Sequence, residues 1–110
     1  MITKEELQAL LNSTETYRIE KTISTSNKDK FCEAICAFAN DMPNSRKPGY
    51  LLIGVEDNGK RSGLKVTDFL LKNISSIRTE GNILPLPVMN VDYISYEDGD
   101  VLIVEVFPSE

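Results

Sequence analysis

The strongest constraint on the fold comes from residues 101–107, whose sequence VLIVEVF is apolar on both faces when it is drawn as a strand. Such a strand should lie inside a sheet that helices cover on at least one side. Residues 88–96 form another strand-like run, and the sequence EDGD at 97–100 separates the two. The end of the chain is therefore predicted to be an antiparallel hairpin whose second strand is interior.

The rest of the chain predicts further helices and strands. Thr3 and Glu6 have the spacing of a capping box, which predicts a short helix ending near Asn12. Residues 16–24 alternate as a half-buried strand does, with Lys21 on the side of the apolar residues. The other predicted elements are an enclosed helix at 31–39, a buried strand at 49–56, a short strand after it, and a helix ending near 78 whose apolar positions are Val66, Phe69, Leu70, Ile74 and Ile77.

Glycines mark two special backbone positions. Asn58-Gly59 predicts a tight hairpin in which both residues have positive φ angles. Gly54, inside a predicted strand, indicates either a simple bulge or the close approach of another backbone or a ligand. The order of elements predicts an α+β fold: a mixed, mostly antiparallel sheet packed with two main helices and a short N-terminal helix.

The composition limits the chemistry and the compartment. The chain has no histidine, which excludes a Ser-His-Asp triad, a Cys-His pair and imidazole metal ligands. Cys32 and Cys36 lie one helical turn apart in an apolar stretch, which predicts buried, inert thiols and a reducing compartment. No apolar run could cross a membrane and no Gly-Lys-Ser/Thr loop could hold a nucleotide, so we expect a cytoplasmic protein with no membrane partner and no cofactor. The 110 residues suffice for one core, so we expect one domain over residues 1–110.

Positive charge is concentrated in the middle of an acidic chain. The net charge is −5, but residues 46–65 carry five basic side chains against two acidic ones, a local net charge of +3. A polyanion would be repelled by the molecule as a whole, so any nucleic-acid contact should be local and should weaken with salt. The alternative is that these are ordinary solvated loops.

Several motifs occur in an order that resembles a known family. They are Glu15 with Glu20-Lys21, the helical sequence Ala37-Phe38-Ala39-Asn40, the strand sequence GYLLIGVED at 49–57, and Gly59 with Gly63. Together they resemble the Schlafen AlbA domain, once described as a divergent AAA ATPase module, from about residue 15 to residue 107. In bacterial members, the resemblance implies a nucleic-acid-binding domain, usually at the N-terminus of a longer transcriptional regulator.

In animal Schlafen proteins a related domain is an RNA endonuclease that works through three acidic residues. The matching residues here are Glu15, Glu20 and Asp57, which would together hold Mg²⁺ or Mn²⁺ and activate a water molecule. Residues five apart on a continuous strand point to opposite faces, so Glu15 and Glu20 can meet only if the chain bends between them. The alternative is that the three acids are a turn residue, an ion-pair partner and a hairpin residue.

Binding to phosphates would use basic residues instead. Tyr50 or Tyr17 could stack on a base if exposed, although such tyrosines are more often part of the core. A protein-interaction or self-assembly module is a third alternative, which would form a homo-oligomer. The residues predicted to contact phosphates are Lys21, Arg46, Lys47, Lys60 and Arg61.

Overall fold

The computed structural model describes residues 2–12, 18–40, 46–80 and 88–108, with the side chains of 78–80 excepted. These residues form three helices and four strands. The elements are α1 (Lys4–Asn12), β1 (Ile19–Thr22), α2 (Lys28–Asn40), β2 (Gly49–Ile53), α3 (Asp68–Glu80), β3 (Val88–Tyr96) and β4 (Gly99–Phe107).

The four strands form one mixed sheet in the order β1-β2-β4-β3. β1 and β2 are parallel and are joined through α2, with Ile19 opposite Tyr50. The β2–β4 and β4–β3 pairs are antiparallel. This arrangement confirms the predicted α+β class and the C-terminal hairpin, and it places β4 inside the sheet.

Both faces of β4 are buried, as its sequence requires. Leu102, Val104 and Val106 belong to one apolar cluster with residues of α2 and α3. Val101 and Ile103 belong to a second cluster on the opposite face, where α1 packs. Because each fully buried aliphatic side chain contributes about 1.5–3 kcal/mol, this strand is central to the stability of the fold.

The N-terminal capping box forms as predicted. The Thr3 amide donates to Glu6 Oε1 at 3.1 Å, and the Glu6 amide donates to Thr3 Oγ1 at 3.2 Å. These bonds satisfy amides that have no partner inside the helix, and they fix where α1 begins. Leu7 and Leu11 then point into the second cluster, 0% and 1% exposed.

The turn after β2 differs from the prediction. Val55 and Arg61 form an isolated bridge in place of the predicted short strand. The Glu56 amide donates to the Lys60 carbonyl and the Gly59 amide to the Glu56 carbonyl, each at 2.8 Å, so the loop has three residues. Gly59 has φ of 87°, whereas Asn58 is not among the residues with positive φ. This is a three-residue hairpin loop with a glycine bulge, and it needs only one residue with a positive φ angle.

Gly54 is explained by close packing rather than by a bulge in a strand, because β2 ends at Ile53. Its φ is 99°, and a Cβ there would lie 2.8 Å from the Asp100 carbonyl oxygen and 2.7 Å from a Leu64 methyl carbon. The prediction for Phe69 is wrong: its side chain is 73% exposed. α3 turns Leu70, Ile74 and Ile77 toward the sheet and leaves Phe69 on its outer side.

Candidate nucleic-acid interface

Four of the five predicted phosphate-binding residues lie in two groups, one at each end of strand β2. Arg46 and Lys47 precede β2, whereas Lys60 and Arg61 follow it. The five residues of β2 separate the groups by about 13 Å along the strand. Arg18 lies at the first end, where its Nε donates to the Pro48 carbonyl at 3.4 Å. The single patch suggested by the sequence is therefore two surfaces.

Lys21 lies in the interior and is 1% exposed. Its Nζ donates to the Leu11 carbonyl at 3.1 Å and to the Asp57 carbonyl at 3.3 Å. Leu11 is in the last turn of α1, where carbonyls lack helical partners and where the helix dipole favours a cation. Lys21 thus joins the end of α1 to the turn after β2. Its ammonium group faces these carbonyls, so it is not part of the interface that we describe.

A groove of about 730 Å³ lies near Arg61, at the C-terminal end of β2. We call it the Tyr96 groove. Lys4 Nζ lies 4.8 Å and Arg61 Cζ 4.6 Å from the centre of the Tyr96 ring. Both distances are within the range of cation–π attraction. Lys60 is exposed and adjoins Arg61 in the chain. The residues lining the groove are Lys4, Arg61, Ser95, Tyr96, Glu97 and Asp98.

The residues lining this groove carry two positive charges, on Lys4 and Arg61, and two negative charges, on Glu97 and Asp98, so Lys60 beside them supplies the net positive charge. Arg61 Nε donates to Asp98 Oδ1 at 2.8 Å, and this hydrogen bond is the main cause of the lowered Asp98 pKa. Burial raises the pKa of Tyr96, whose hydroxyl oxygen is buried and has no hydrogen-bond partner among the described residues. Because the Asp98 side chain is 53% exposed, the pair with Arg61 is a surface ion pair of modest strength.

Lys4 and Tyr96 are the members of this site that the sequence did not reveal. They come from the first helix and from β3, near opposite ends of the chain. No linear motif connects them, and the contact depends on α1 crossing the face of the sheet. The fold alone brings them to Arg61.

The acidic residues of the predicted metal site are not seen together. Glu20 forms an ion pair with Lys30 at 3.4 Å and lines one depression. Asp57 lines a different cleft, of about 460 Å³, and Lys30 borders both. Glu15 lies outside the described residues. Within the residues that are described, no group of three or more His, Cys, Asp or Glu side chains could hold a metal ion. The three-carboxylate site stays a prediction.

The tyrosines and cysteines have structural contacts. Tyr50 is half-buried and donates its hydroxyl to Glu105 Oε2 at 3.0 Å. Burial, followed by this hydrogen bond, raises the Tyr50 pKa to about 12. Tyr17 lies outside the described residues. Cys32 and Cys36 are free thiols, partly rather than fully buried, and burial raises the pKa of Cys32, which makes it a poor nucleophile at neutral pH.

Comparisons with known proteins identify the family. The sequence model described as Schlafen, AlbA_2 matches residues 15–110, and the chain belongs to this family. A similar solved structure is the solution NMR structure of the N-terminal domain of a RecG-related protein from Nitrosomonas europaea, whose name relates it to ATP-dependent DNA helicases. The two sequences are 28% identical, the TM-score is 0.61, and the match covers 94% of this chain and 71% of the other. A search of curated proteins found no match.

The helices were also compared with what a bilayer requires. Among residues 2–12, 18–40, 46–80 and 88–108, no helix has the length and apolar character needed to cross a membrane.

Proposed function

We propose that the chain is a nucleic-acid-binding domain and, more specifically, the DNA-binding part of a bacterial-type transcriptional regulator that works in the cytoplasm. Membership of the Schlafen AlbA_2 family supports the general role. The helicase-related name of the similar Nitrosomonas europaea protein is consistent with that role. The observation that carries the proposal is the Tyr96 groove, where cations from α1 and from the turn after β2 meet at one aromatic ring.

The groove has the chemistry that phosphates require. A guanidinium carries five N–H donors, and within the described residues the Arg61 side chain uses one of them, Nε, for Asp98. A phosphate oxygen can therefore bind Arg61 without displacing Asp98. Lys60 is exposed beside it, and Lys4 approaches from α1. With a net charge of −5 on the whole chain, the contact should be confined to this end and should be sensitive to salt.

The test is a binding titration with single-stranded and double-stranded DNA and RNA at increasing salt concentration. The double substitution Lys60→Ala with Arg61→Ala should weaken binding and should reduce the slope of log affinity against log salt by about 2, because each phosphate contact contributes about 0.9. The charge-matched control is Lys28→Ala with Lys72→Ala, two exposed lysines on α2 and α3. This control should leave the slope unchanged.

The opposite end of the sheet supplies a second comparison. Arg46→Ala with Lys47→Ala removes the same charge from the other basic group. A loss confined to that pair would move the interface to the N-terminal ends of β1 and β2. An absence of binding at low salt, or equal losses in all three double variants, would contradict the proposal. Chelation of divalent ions should not change the affinity, since no cofactor is needed.

The regulator role requires preference for a particular DNA sequence. Selection from a pool of random duplexes should enrich one sequence over the competitor pool. If nucleic acid binds but no sequence is enriched, the regulator role fails and the general binding role stands.

A further inference from the structure

Among the described residues, β3 is the strand at one edge of the sheet. It is nine residues long, and among the described residues it pairs with β4 alone. The pairing runs without a bulge from Val88 opposite Phe107 to Tyr96 opposite Gly99. Its outer row of N–H and C=O groups is therefore a regular template for another strand.

β3 carries few of the usual protections of an edge strand. Its sequence, VMNVDYISY, contains no lysine, arginine or proline, and Asp92 is its one charged residue. Two of its apolar or aromatic side chains are exposed, Val88 at 63% and Tyr93 at 40%. Proteins that remain monomeric commonly place lysine or proline on such an edge or bend it with a bulge.

We propose that β3 pairs antiparallel with β3 of a second copy of this chain, which joins two sheets into one. The two-fold axis would be perpendicular to the sheet, because that axis makes the strands antiparallel and keeps each face on the same side. A two-fold interface brings the same surface of both copies together, so the strand must be complementary to itself. The sequence of β3 meets this condition in one register.

That register places Val91 on the axis. Asp92 of each copy then lies opposite Asn90 of the other. The Asn90 amide donates one N–H to Glu105 of its own chain at 3.3 Å, and its second N–H can donate to Asp92. Exposed Val88 lies opposite Ile94, and exposed Tyr93 lies opposite Met89. Both exposed side chains thus gain apolar neighbours.

Neighbouring registers lack this match. An axis at residue 92 places two Asp92 carboxylates against each other, which is unfavourable. An axis at residue 90 places Asp92 opposite Val88, and an axis at residue 93 places it opposite Ile94. Among these registers, only the one centred on Val91 gives the Asp92 carboxylate a hydrogen-bonding partner.

The test uses the full chain without nucleic acid, and measures mass against concentration by light scattering and sedimentation. The unmodified protein should pass from monomer to dimer as its concentration rises. Asn90→Asp places two like-charged pairs across the interface, in addition to one with Glu105 inside each copy, and should weaken the dimer about tenfold. Asn90→Lys places opposite charges there and should strengthen it by a similar factor.

Asn27→Asp is the control, because it adds the same charge at the exposed N-terminal cap of α2, where an aspartate can also accept the Lys30 amide. It should leave the dimer unchanged. Added salt should reduce the effects of both Asn90 substitutions and should not dissociate the unmodified dimer, since two acidic copies repel less at high ionic strength. A monomer at every concentration, or Asn90→Asp and Asn90→Lys shifting the equilibrium in the same direction, would overturn the proposal.

Discussion

Gly59, in the turn after β2, lies so close to α1 that there is no room for a side chain. Its φ is 87°, and a Cβ atom there would lie 2.2 Å from the carbonyl oxygen of Leu11. Gly63 has a similar φ of 90°, but a Cβ there would meet nothing within 4 Å. The two glycines therefore separate the cost of the backbone angle from the cost of the overlap.

We expect Gly63→Ala to lower the free energy of unfolding by about 1 kcal/mol, the cost of the left-handed conformation. Gly59→Ala should lower it by about 3 kcal/mol or more, because the overlap is with main-chain atoms that cannot move independently. Urea-induced unfolding of both variants measures the difference. Equal losses would show that α1 does not approach the turn as described.

Tyr50 should make stability depend on alkaline pH. Its pKa rises from 10.0 to about 12 in the folded protein, so the folded state holds the phenolic proton more tightly than the unfolded state does. The resulting contribution to stability is complete below pH 10 and is lost as pH rises toward about 12. Tyr50→Phe should remove this part of the pH dependence.

Urea unfolding of both proteins at a series of pH values provides the measurement. The stability difference between the original protein and Tyr50→Phe should shrink as pH rises through that interval. Tyr93→Phe, at an exposed tyrosine of β3, serves as the control and should follow the original protein. A constant difference for Tyr50→Phe would mean that Tyr50 is not buried and hydrogen-bonded to Glu105 as described.

Individual residues show where reasoning from the sequence reaches its limit. The Thr3–Glu6 capping box is a local interaction, and its spacing predicts it directly. Lys21 falls on the predicted apolar side of β1, but its burial depends on carbonyls supplied by Leu11 and Asp57. Those partners are 10 and 36 residues away in the chain, so no local pattern reports them.

At the scale of elements, α1 covers a sheet face that would otherwise be exposed. Leu7 is 0% exposed and packs in the same cluster as Val101 and Ile103 of β4, whereas Leu10 is partly buried at the margin of that cluster. The helix is only nine residues long and would be marginal in isolation. Its stability must come from this packing.

Leu7→Ala should therefore cost about 2–5 kcal/mol of unfolding free energy, as expected for a cavity in a closed core. Leu10→Ala is the matched control on the same helix and should cost less than half as much, because solvent can reach the vacated space. Thermal unfolding, followed by circular dichroism, compares the two. Similar costs would mean that α1 is not docked on the sheet.

Element type was more predictable than element ends. The alternation of apolar residues identified the hairpin strands, because successive side chains of a strand point to opposite faces of the sheet. The strand predicted at 49–56 corresponds to β2, which ends earlier, at Ile53. It ends there because the chain changes direction at Gly54, where the backbone of Asp100 packs closely. That contact joins distant segments, and the glycine alone left two interpretations open.

For the whole molecule, the main surprise is the division of the basic residues. Residues 46–65 are continuous in sequence, but β2 runs through the middle of them and separates the two basic groups along the direction of the strand. A count of charges along the chain cannot detect this separation. The Tyr96 groove was equally hidden, since α1, the turn after β2 and β3 meet there only after folding.

The enzymatic alternative can be decided with structured RNA and Mn²⁺. We expect the RNA to remain intact, because Lys30 pairs with Glu20, and Asp57 lines a separate cleft. Gel electrophoresis of the RNA after incubation is the measurement. Cleavage that is lost in Glu20→Gln and kept in Glu33→Gln, an exposed acid beside Glu20, would establish the three-carboxylate nuclease instead.

The two edges of the sheet are unequal: β3 has nine residues, whereas β1 has four. A short edge strand offers few backbone hydrogen bonds to a strand from another molecule, and this is one way in which proteins limit the growth of a sheet. When two copies pair through β3, the strand at each edge of the enlarged sheet is a copy of β1. On the proposed pairing, the number of subunits would be limited to two and the assembly would not extend into a fibre.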